Sequence, residues 1–145
     1  METIIGKEFS IKVIPLIESA KKSIEIVVFD WRWYPQDPGA AVQLFNQAIV
    51  RAARRGVKVR AIANCDEIIQ VLREQNIDAK KLISKKLVHC KFMLIDGEIV
   101  IVGSHNYTQS AFQMNHEISV IFRDIDNFAV FFSYFNNLFN SHGEI

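Results

Sequence analysis

The most informative part of the sequence is the stretch HCKFMLIDGEIVIVGSHN, which spans residues 89–106. Two mostly apolar runs, Leu87–Ile95 and Glu98–Val102, flank the pair Asp96-Gly97, which is typical of a two-residue β-turn. The pattern predicts a β-hairpin. The sheet of this protein is therefore predicted to contain an antiparallel pair of strands.

Polar side chains gather at the open end of this predicted hairpin. Residue numbers across a two-residue turn at 96–97 sum to 193, which places His89 opposite Ser104. His89 and Lys91 share one face of their strand, and Asn106 lies on the same face beyond Ser104. An imidazole, an ammonium, a hydroxyl and an amide are thus predicted to converge on an otherwise apolar ladder.

This combination of groups suits the chemistry of phosphate esters. Lys91, Ser104 and Asn106 can donate hydrogen bonds to non-bridging phosphate oxygens, and Lys91 adds positive charge. A histidine such as His89 can act as a nucleophile or as a proton donor. Asp96 is about 23 Å from His89 along an extended strand, so we expect it to orient the turn rather than to contact the same phosphate.

The flanking sequence predicts alternating helices and strands. Apolar runs predict strands at Ser23–Trp31, Val57–Ala63 and His116–Phe122. Apolar residues at helical spacing predict helices over Ser10–Lys22, Gly39–Arg55, Asp66–Gln75 and Asp124–Asn140. An early β-α-β order followed by a hairpin predicts an α/β fold, a mixed β-sheet sandwiched by helices.

Composition limits the classes of function. Lys and Arg total 17 against 16 Asp and Glu, so the net charge is +1, which excludes a binder that relies on bulk positive charge. Cys65 and Cys90 are too few for a disulfide framework or a four-ligand zinc site, which favours a reducing, cytoplasmic location. No apolar run approaches the ~20 residues that cross a bilayer, so no stable membrane insertion is expected. No metal site is expected.

The hairpin also matches a known pattern, His-x-Lys-x4-Asp-x6-Gly-Ser-x-Asn. Its fixed positions are His89, Lys91, Asp96, Gly103, Ser104 and Asn106. This spacing resembles the motif of the phospholipase D superfamily at every fixed position. The segments Arg55–Arg60 upstream and Asn115–Ile121 downstream are also similar to the family. The resemblance extends over about Lys7–Phe139 and implies a single phospholipase D-like domain, residues 1–145, with one motif per chain.

The resemblance implies a mechanism and a partner. In this superfamily two copies of the motif meet at one active site, where one histidine attacks the phosphodiester and the other protonates the leaving oxygen. Water then hydrolyses the phosphohistidine, and neither a metal nor another cofactor is required. Because the motif occurs once here, the resemblance implies a two-fold homodimer with His89 of both subunits at the axis.

The resemblance also assigns the candidate site residues. Glu117 matches the acidic residue that holds the histidine ring from behind and stabilises the imidazolium. The candidate catalytic residues are His89, Lys91, Ser104, Asn106 and Glu117, and the supporting residues are Asp96 and Gly103. Their neighbours are predicted to be structural. His105 points to the opposite face, Cys90 lies in the core, and the Phe-rich segment 128–139 forms core or a subunit contact.

The family includes nucleases, phospholipases, cardiolipin hydrolases and phosphatidyl transferases. Its small single-motif members resemble bacterial endonucleases and Zucchini-type enzymes. Here the residues Trp31, Arg32, Trp33 and Tyr34 follow the first apolar strand. They can stack on bases and contact a phosphate, or they can fill the core or a dimer contact. Size, solubility and this cluster favour a metal-independent nuclease that cleaves DNA or RNA.

Two alternatives stay open. A phospholipase or cardiolipin-type lipid hydrolase would show an exposed apolar rim around its cleft. A nucleic-acid-binding catalytic module of a larger restriction or repair system would have the same motif. The basic residues that could contact nucleic acid, or form an ordinary solvated surface, are Arg51, Arg54, Arg55, Lys58, Arg60, Lys80, Lys81, Lys85 and Lys86.

Overall fold

A computed structural model describes residues 1–141 of the chain. Within them one sheet is formed by β1 (Glu2–Ile5), β2 (Ser23–Val27), β3 (Lys58–Ile62), β4 (Asp78–Lys80), β5 (Phe92–Ile95), β6 (Ile99–Gly103) and β7 (Ile118–Arg123). The helices of the same region are α1 (Glu8–Ser19), α2 (Ala41–Arg54), α3 (Asp66–Glu74), α4 (Gln109–Gln113) and α5 (Ile125–Ser141).

The sheet is mixed, as predicted. Its strand order is β1-β7-β6-β5-β2-β3-β4. Strands β2, β3 and β4 are parallel, and the remaining neighbours are antiparallel. The predicted β-α-β order accounts for the parallel half, because a helix must carry the chain back before a parallel strand can begin. The predicted α/β class is confirmed.

Helices cover both faces of the sheet, but unequally. Apolar side chains of α1, α2, α3 and α4 form one large core cluster with the first face. On the second face α5 packs alone, through buried side chains that include Phe128, Phe135 and Phe139. The predicted core role of the Phe-rich segment is therefore confirmed. No helix within residues 1–141 is long and apolar enough to cross a bilayer.

The hairpin differs from its prediction by one residue. Ile95 pairs with Ile99 and Phe92 with Val102, so paired numbers sum to 194 and the turn has three residues. Asp96 and Gly97 both adopt left-handed backbone angles, with φ of 55° and 69°. A shift of one residue changes every cross-strand partner, so the predicted opposition of His89 and Ser104 is wrong.

The first hairpin strand is also shorter than predicted. Leu87–Ile95 was expected to be extended throughout, but only Phe92–Ile95 is strand. Residues 83–91 run as a loop that leads into β5, and the N–H of Gly103 donates to the carbonyl of Lys91 at 3.3 Å, which extends the pairing by one bond. His89 and Lys91 therefore lie at the end of the sheet rather than within it.

Candidate active site

The side chains of His89 and Lys91 meet at the end of the sheet where β5 begins. Lys91 Nζ donates to the carbonyl of His89 at 2.8 Å and lies 3.2 Å from its Nδ1. Because an ammonium only donates, Nδ1 accepts, and the hydrogen of the neutral ring is then on Nε2. The ring of Phe29 packs against the imidazole at 4.9 Å between centroids. His89 is nevertheless exposed, so a substrate can reach it.

Ser104 and Asn106 follow β6, whose last residues lie at the same end of the sheet as the start of β5. Ser104 Oγ donates to Glu117 Oε1 at 2.5 Å and accepts from the N–H of Ile118 at 3.0 Å. Asn106 Oδ1 accepts from the N–H of Asp30 at 3.0 Å. The structure therefore brings the ends of β2, β5, β6 and β7 together around the predicted polar residues.

Glu117 lies at this end of the sheet, but in a different arrangement from the one expected. Its carboxylate accepts hydrogen bonds from Ser104 Oγ and from Asn115 Nδ2, the second at 3.1 Å. The Nδ1 of His89, which an acidic residue was expected to hold, instead contacts Lys91. The role of Glu117 as a support of the imidazole stays a prediction.

The two supporting residues of the motif have distinct structural surroundings. Asp96 accepts the backbone N–H groups of Lys21, Lys22 and Ser23 at 2.7–3.1 Å. Burial alone would raise the pKa of Asp96, but these N–H groups and the charge of Lys22 outweigh it and lower the pKa overall. At Gly103 a Cβ atom would lie 2.3 Å from Ser119 Oγ, so any side chain there would separate β6 from β7.

His105, the variable residue of the motif, points into the core on the opposite face. It is 1% exposed and stacks on Phe9 at 4.6 Å. Its Nε2–H donates to the carbonyl of Gly6 at 2.9 Å, so Nδ1 accepts from Ser119 Oγ at 2.7 Å. Burial lowers the pKa of His105. The predicted packing role of His105 agrees with these contacts.

The predicted aromatic cluster divides into a core residue and a cleft. Trp31 is fully buried, and its Nε1 donates to Asn46 Oδ1 at 2.7 Å. Of the roles predicted for Trp31, stacking on a substrate is wrong and filling the core agrees with the structure, because the chain after β2 passes beneath α2 instead of staying at the surface. A cleft of about 410 Å³ is lined by Asp30, Arg32, Trp33, Tyr34, Glu67 and Thr108, among others.

This cleft adjoins the polar end of the sheet. Arg32 is exposed and forms an ion pair with Asp30 at 2.7 Å. The same Asp30 is bonded through its N–H to Asn106 and follows Phe29, which touches His89. Neither Phe29 nor Asp30 was among the predicted site residues, because the predicted strand Ser23–Trp31 includes both. The strand β2 ends at Val27, so both residues follow it, and ligands commonly bind at the ends of such strands.

A second depression has His89 in its lining. It has a volume of about 570 Å³ and is lined by residues 84–90 together with Tyr134 and Leu138 of α5. Cys90, expected in the core, is half-buried here, where burial raises the pKa of its thiol. We call this depression the lysine groove, because Lys85 and Lys86 are among its lining residues.

Most of the basic residues upstream of the hairpin have partners within the protein. Arg51 pairs with Glu18, and Arg60 lies 3.8 Å from the buried Glu25. Arg55 donates to the carbonyl of Ile17 at 2.6 Å. Their possible use as a nucleic-acid surface is therefore not supported by the contacts.

Comparisons with known proteins agree with the motif. A family model described as "Cardiolipin synthase, PLD-like domain" matches residues 13–140. The mouse (Mus musculus) mitochondrial cardiolipin hydrolase is 32% identical over 126 residues, which are 83% of this chain and 53% of that protein. A phospholipase D of Rickettsia prowazekii (strain Madrid E) is 30% identical over 118 residues, 77% of this chain and 53% of that protein. The chain thus spans about half the length of these relatives.

Two solved structures have the same fold. NucT from Helicobacter pylori superposes with a TM-score of 0.81 at 23% identity. Nuc from Salmonella typhimurium, a phospholipase D family member, also gives 0.81, at 20% identity. Each alignment covers 99% of this chain and 97% of the other. The family match over most of the sequence, together with this fold and the complete motif, shows that the chain belongs to the phospholipase D superfamily.

Proposed function

We propose that this protein is a metal-independent phosphodiesterase that cleaves nucleic acids through a phosphohistidine on His89. The observation that carries the proposal is the contact of Lys91 with His89 at the exposed end of the sheet. It places the ammonium of Lys91 beside the imidazole that we propose as the nucleophile. The ammonium can there stabilise the negative charge that develops on the phosphoryl oxygens in the transition state. Ser104 and Asn106 add further hydrogen-bonding groups at the same end.

The reaction needs two histidines in different protonation states. In one subunit His89 Nε2 attacks phosphorus, and the bond from phosphorus to the leaving oxygen breaks. His89 of the partner subunit gives its Nε2 proton to that oxygen. Water then attacks the phosphohistidine and passes a proton to the same partner histidine, and the P–N bond breaks. The proton donor must be an imidazolium with hydrogens on both ring nitrogens, so it cannot keep the contact seen here, in which Nδ1 accepts from Lys91.

The attacking histidine needs a free Nε2, so its hydrogen must be on Nδ1. We infer that Lys91 moves from Nδ1 to a phosphate oxygen when substrate binds. Glu117, released from Ser104 Oγ when that hydroxyl turns to the phosphate, can then accept the Nδ1–H of His89. This exchange of partners would give Glu117 the role expected from the motif.

A second copy of the chain has a surface to occupy beside the site. Because α5 crosses only part of its sheet face, Ile5 and Ile118 remain 59% and 56% exposed. These residues pair across β1 and β7 on the same face as the half-buried Val102 and Val120. We call these four residues the apolar corner. It adjoins Glu117 and Ser104, so a homodimer formed through it would bring two copies of the motif together.

The cleft next to Asn106 favours nucleic acid as substrate. Trp33 and Tyr34 contribute aromatic rings that can stack on bases, and Arg32 contributes a cation. The cleft connects to His89 through two adjacent residues, because Asp30 lines the cleft and the preceding Phe29 packs on the imidazole.

A lipid phosphodiester is the second candidate. Ile83 and Leu87, close to His89 in the chain, are 56% and 66% exposed, which gives the site part of an apolar rim. Two of the relatives are a cardiolipin hydrolase and a phospholipase D by name.

The test compares wild type with His89→Asn and, as a matched control, His116→Asn, which changes another exposed histidine. Each is incubated in EDTA with labelled single-stranded DNA, double-stranded DNA, RNA and cardiolipin vesicles. We expect wild type and His116→Asn to cleave nucleic acid, and His89→Asn to lose at least about 10⁴-fold in rate. Acid-labile phosphate should be trapped on wild type and on His116→Asn, but not on His89→Asn. Cleavage that EDTA abolishes, or that survives His89→Asn, would contradict the proposal.

A further inference from the structure

Two lysines beside the site have no acidic partner in the described part of the chain. Lys85 and Lys86 are exposed, and no carboxylate of residues 1–141 forms an ion pair with either. By contrast, partners within the protein bind the side chains of Arg51, Arg54, Arg55, Arg60, Lys80 and Lys81. Cations left unpaired next to a site for anions are available to a ligand.

The position of these lysines relates them directly to His89. The lysine groove extends from Ser84 to Cys90, so His89 forms part of its wall. Its opposite side is formed by Tyr134, whose ring is half exposed, and by Leu138. The groove thus combines two free cations with an aromatic ring, the pattern of a surface that follows a single strand.

A ligand with a single phosphate, bound at His89, would leave Lys85 and Lys86 of the lysine groove without a phosphate to contact. Lys91 already contacts the imidazole and can neutralise the phosphate that reacts. Lys86 and Lys85 lie five and six residues before Lys91 in a loop, so they suit further phosphates of the same ligand. A polynucleotide repeats its charge along the chain, and each phosphate neutralised by a lysine adds to binding.

We propose that the lysine groove binds the nucleic-acid strand on one side of the scissile phosphate, with Lys85 and Lys86 contacting the flanking phosphates. This inference rests on the proposed function. The aromatic cleft of Arg32, Trp33 and Tyr34 shares no lining residue with the lysine groove and is reached from His89 through Phe29 and Asp30. A strand with its reacting phosphate at His89 can therefore extend into both depressions. The protein should cleave within a strand rather than only at its ends.

The experiment measures binding separately from cleavage. Lys85→Gln/Lys86→Gln is compared with Lys21→Gln/Lys22→Gln, another adjacent exposed pair, which lies beside Asp96 at the opposite end of the sheet. All proteins also carry His89→Asn, so that the probe is not consumed. Affinity for a fluorescent single-stranded DNA of about 16 nucleotides is measured by anisotropy from about 50 to 300 mM salt. Melting temperatures check that both double variants fold.

Two results would support the groove. Lys85→Gln/Lys86→Gln should weaken binding about tenfold or more at low salt. It should also reduce the magnitude of the slope of log affinity against log salt by about 1.4, the value for the loss of two phosphate contacts on a single strand. The Lys21/Lys22 control should bind within about twofold of the parent. Equal losses for the two pairs would indicate bulk charge and would overturn the proposal. So would an unchanged affinity, or a loss of binding to cardiolipin vesicles in place of DNA.

Cleavage by wild type distinguishes failure of the proposed function from failure of the groove. If wild type hydrolyses the small diester bis(4-nitrophenyl) phosphate but the lysine substitutions leave DNA binding unchanged, the groove is wrong and the phosphodiesterase stands. If the substitutions weaken DNA binding as expected but wild type hydrolyses no phosphodiester, the groove stands and the proposed function is wrong. For internal cleavage, early products of an end-labelled strand should be fragments of mixed length.

Discussion

At the scale of single residues, two histidines of one motif have opposite surroundings. His89 is exposed and contacts the ammonium of Lys91 and the ring of Phe29. His105 is buried, and both of its ring nitrogens have hydrogen-bond partners. Only His89 has a ring edge that a substrate can reach. We therefore expect changes at His89 to affect chemistry and changes at His105 to affect folding.

Replacing His105 by Ala should lower the free energy of unfolding by about 2–4 kcal/mol, because the ring's stacking on Phe9 and its bond to Gly6 are both lost. Urea unfolding measures this change. His116→Ala, at an exposed position, is the control and should cost less than about 0.5 kcal/mol. Wild-type stability in His105→Ala would show that the ring does not hold β1 in place.

Replacing Asp96 by Asn should cost about 1–3 kcal/mol at neutral pH, because an amide oxygen is a weaker acceptor for the N–H groups of Lys21, Lys22 and Ser23. The folded pKa of Asp96 is lowered, so its stabilising effect is present above the ordinary Asp pKa and is lost as pH falls. The difference in unfolding free energy from wild type should therefore shrink towards acid pH. A constant difference from pH 7 to pH 3 would contradict this.

At the scale of elements, α5 packs on an ion pair carried by two parallel strands. Glu25 of β2 is 1% exposed, and Arg60 of β3 lies 3.8 Å from its carboxylate. The guanidinium of Arg60 lies 5.0 Å from the ring of Phe135 on α5 and bonds to Asn136. Burial outweighs the attraction of Arg60 and raises the pKa of Glu25 to about 7.

This pair predicts a stability that declines with pH. Between about pH 4.5 and 7 the folded protein holds a proton on Glu25 that the unfolded chain has lost, so the unfolding free energy falls by about 3 kcal/mol as pH rises. Glu25→Gln mimics the protonated form and should remove the decline, which leaves it more stable than wild type at pH 8. Chemical unfolding across this range measures the effect.

The exposed Glu74→Gln is the matched control for this pH series and should follow wild type. A wild-type stability that is constant from pH 5 to pH 8 would show that Arg60 keeps Glu25 ionised. In that case Glu25→Gln should destabilise at every pH, because it leaves the buried Arg60 without its partner.

At the scale of the whole molecule, the uneven cover of the sheet leaves an apolar surface exposed beside the candidate active site. The apolar corner adjoins the residues that would bind phosphate, and the proposed chemistry needs a second His89. The same dimer would satisfy both requirements. A substitution that prevents dimer formation through the apolar corner is then expected to abolish activity as well.

Replacing Ile5 by Glu should convert the proposed dimer to a monomer and reduce specific activity in proportion, because a charge in the apolar corner would have to be buried in the proposed interface. Ile11→Glu, at a position 72% exposed on α1, is the control and should stay dimeric. Sedimentation at micromolar concentration measures the assembly. Full activity in a monomeric Ile5→Glu protein would contradict the shared site.

Local patterns predicted a large part of this fold. Helical spacing of apolar residues located α1, α2, α3 and α5 to within a few residues, since each of these helices buries one continuous stripe. The Asp-Gly pair located the hairpin turn, and the motif brought attention to His89, Lys91, Ser104 and Asn106. Such signals depend on neighbours in the chain, so they can be read without knowing the tertiary structure.

Three features that were not predicted depend on contacts between distant segments of the chain: the register of the hairpin turn, the cleft beside Asn106 and the burial of Trp31. The turn register depends on Asp96 binding backbone groups 73 to 75 residues away, and the cleft depends on Asp30 meeting Asn106, 76 residues later. Trp31 is buried because α2 packs over it, which its own neighbours do not indicate. Local sequence patterns thus indicated which groups are available for chemistry. Which of these groups are exposed, and which contact one another, depends on how the elements pack in three dimensions, because burial is a property of packed elements and not of their order.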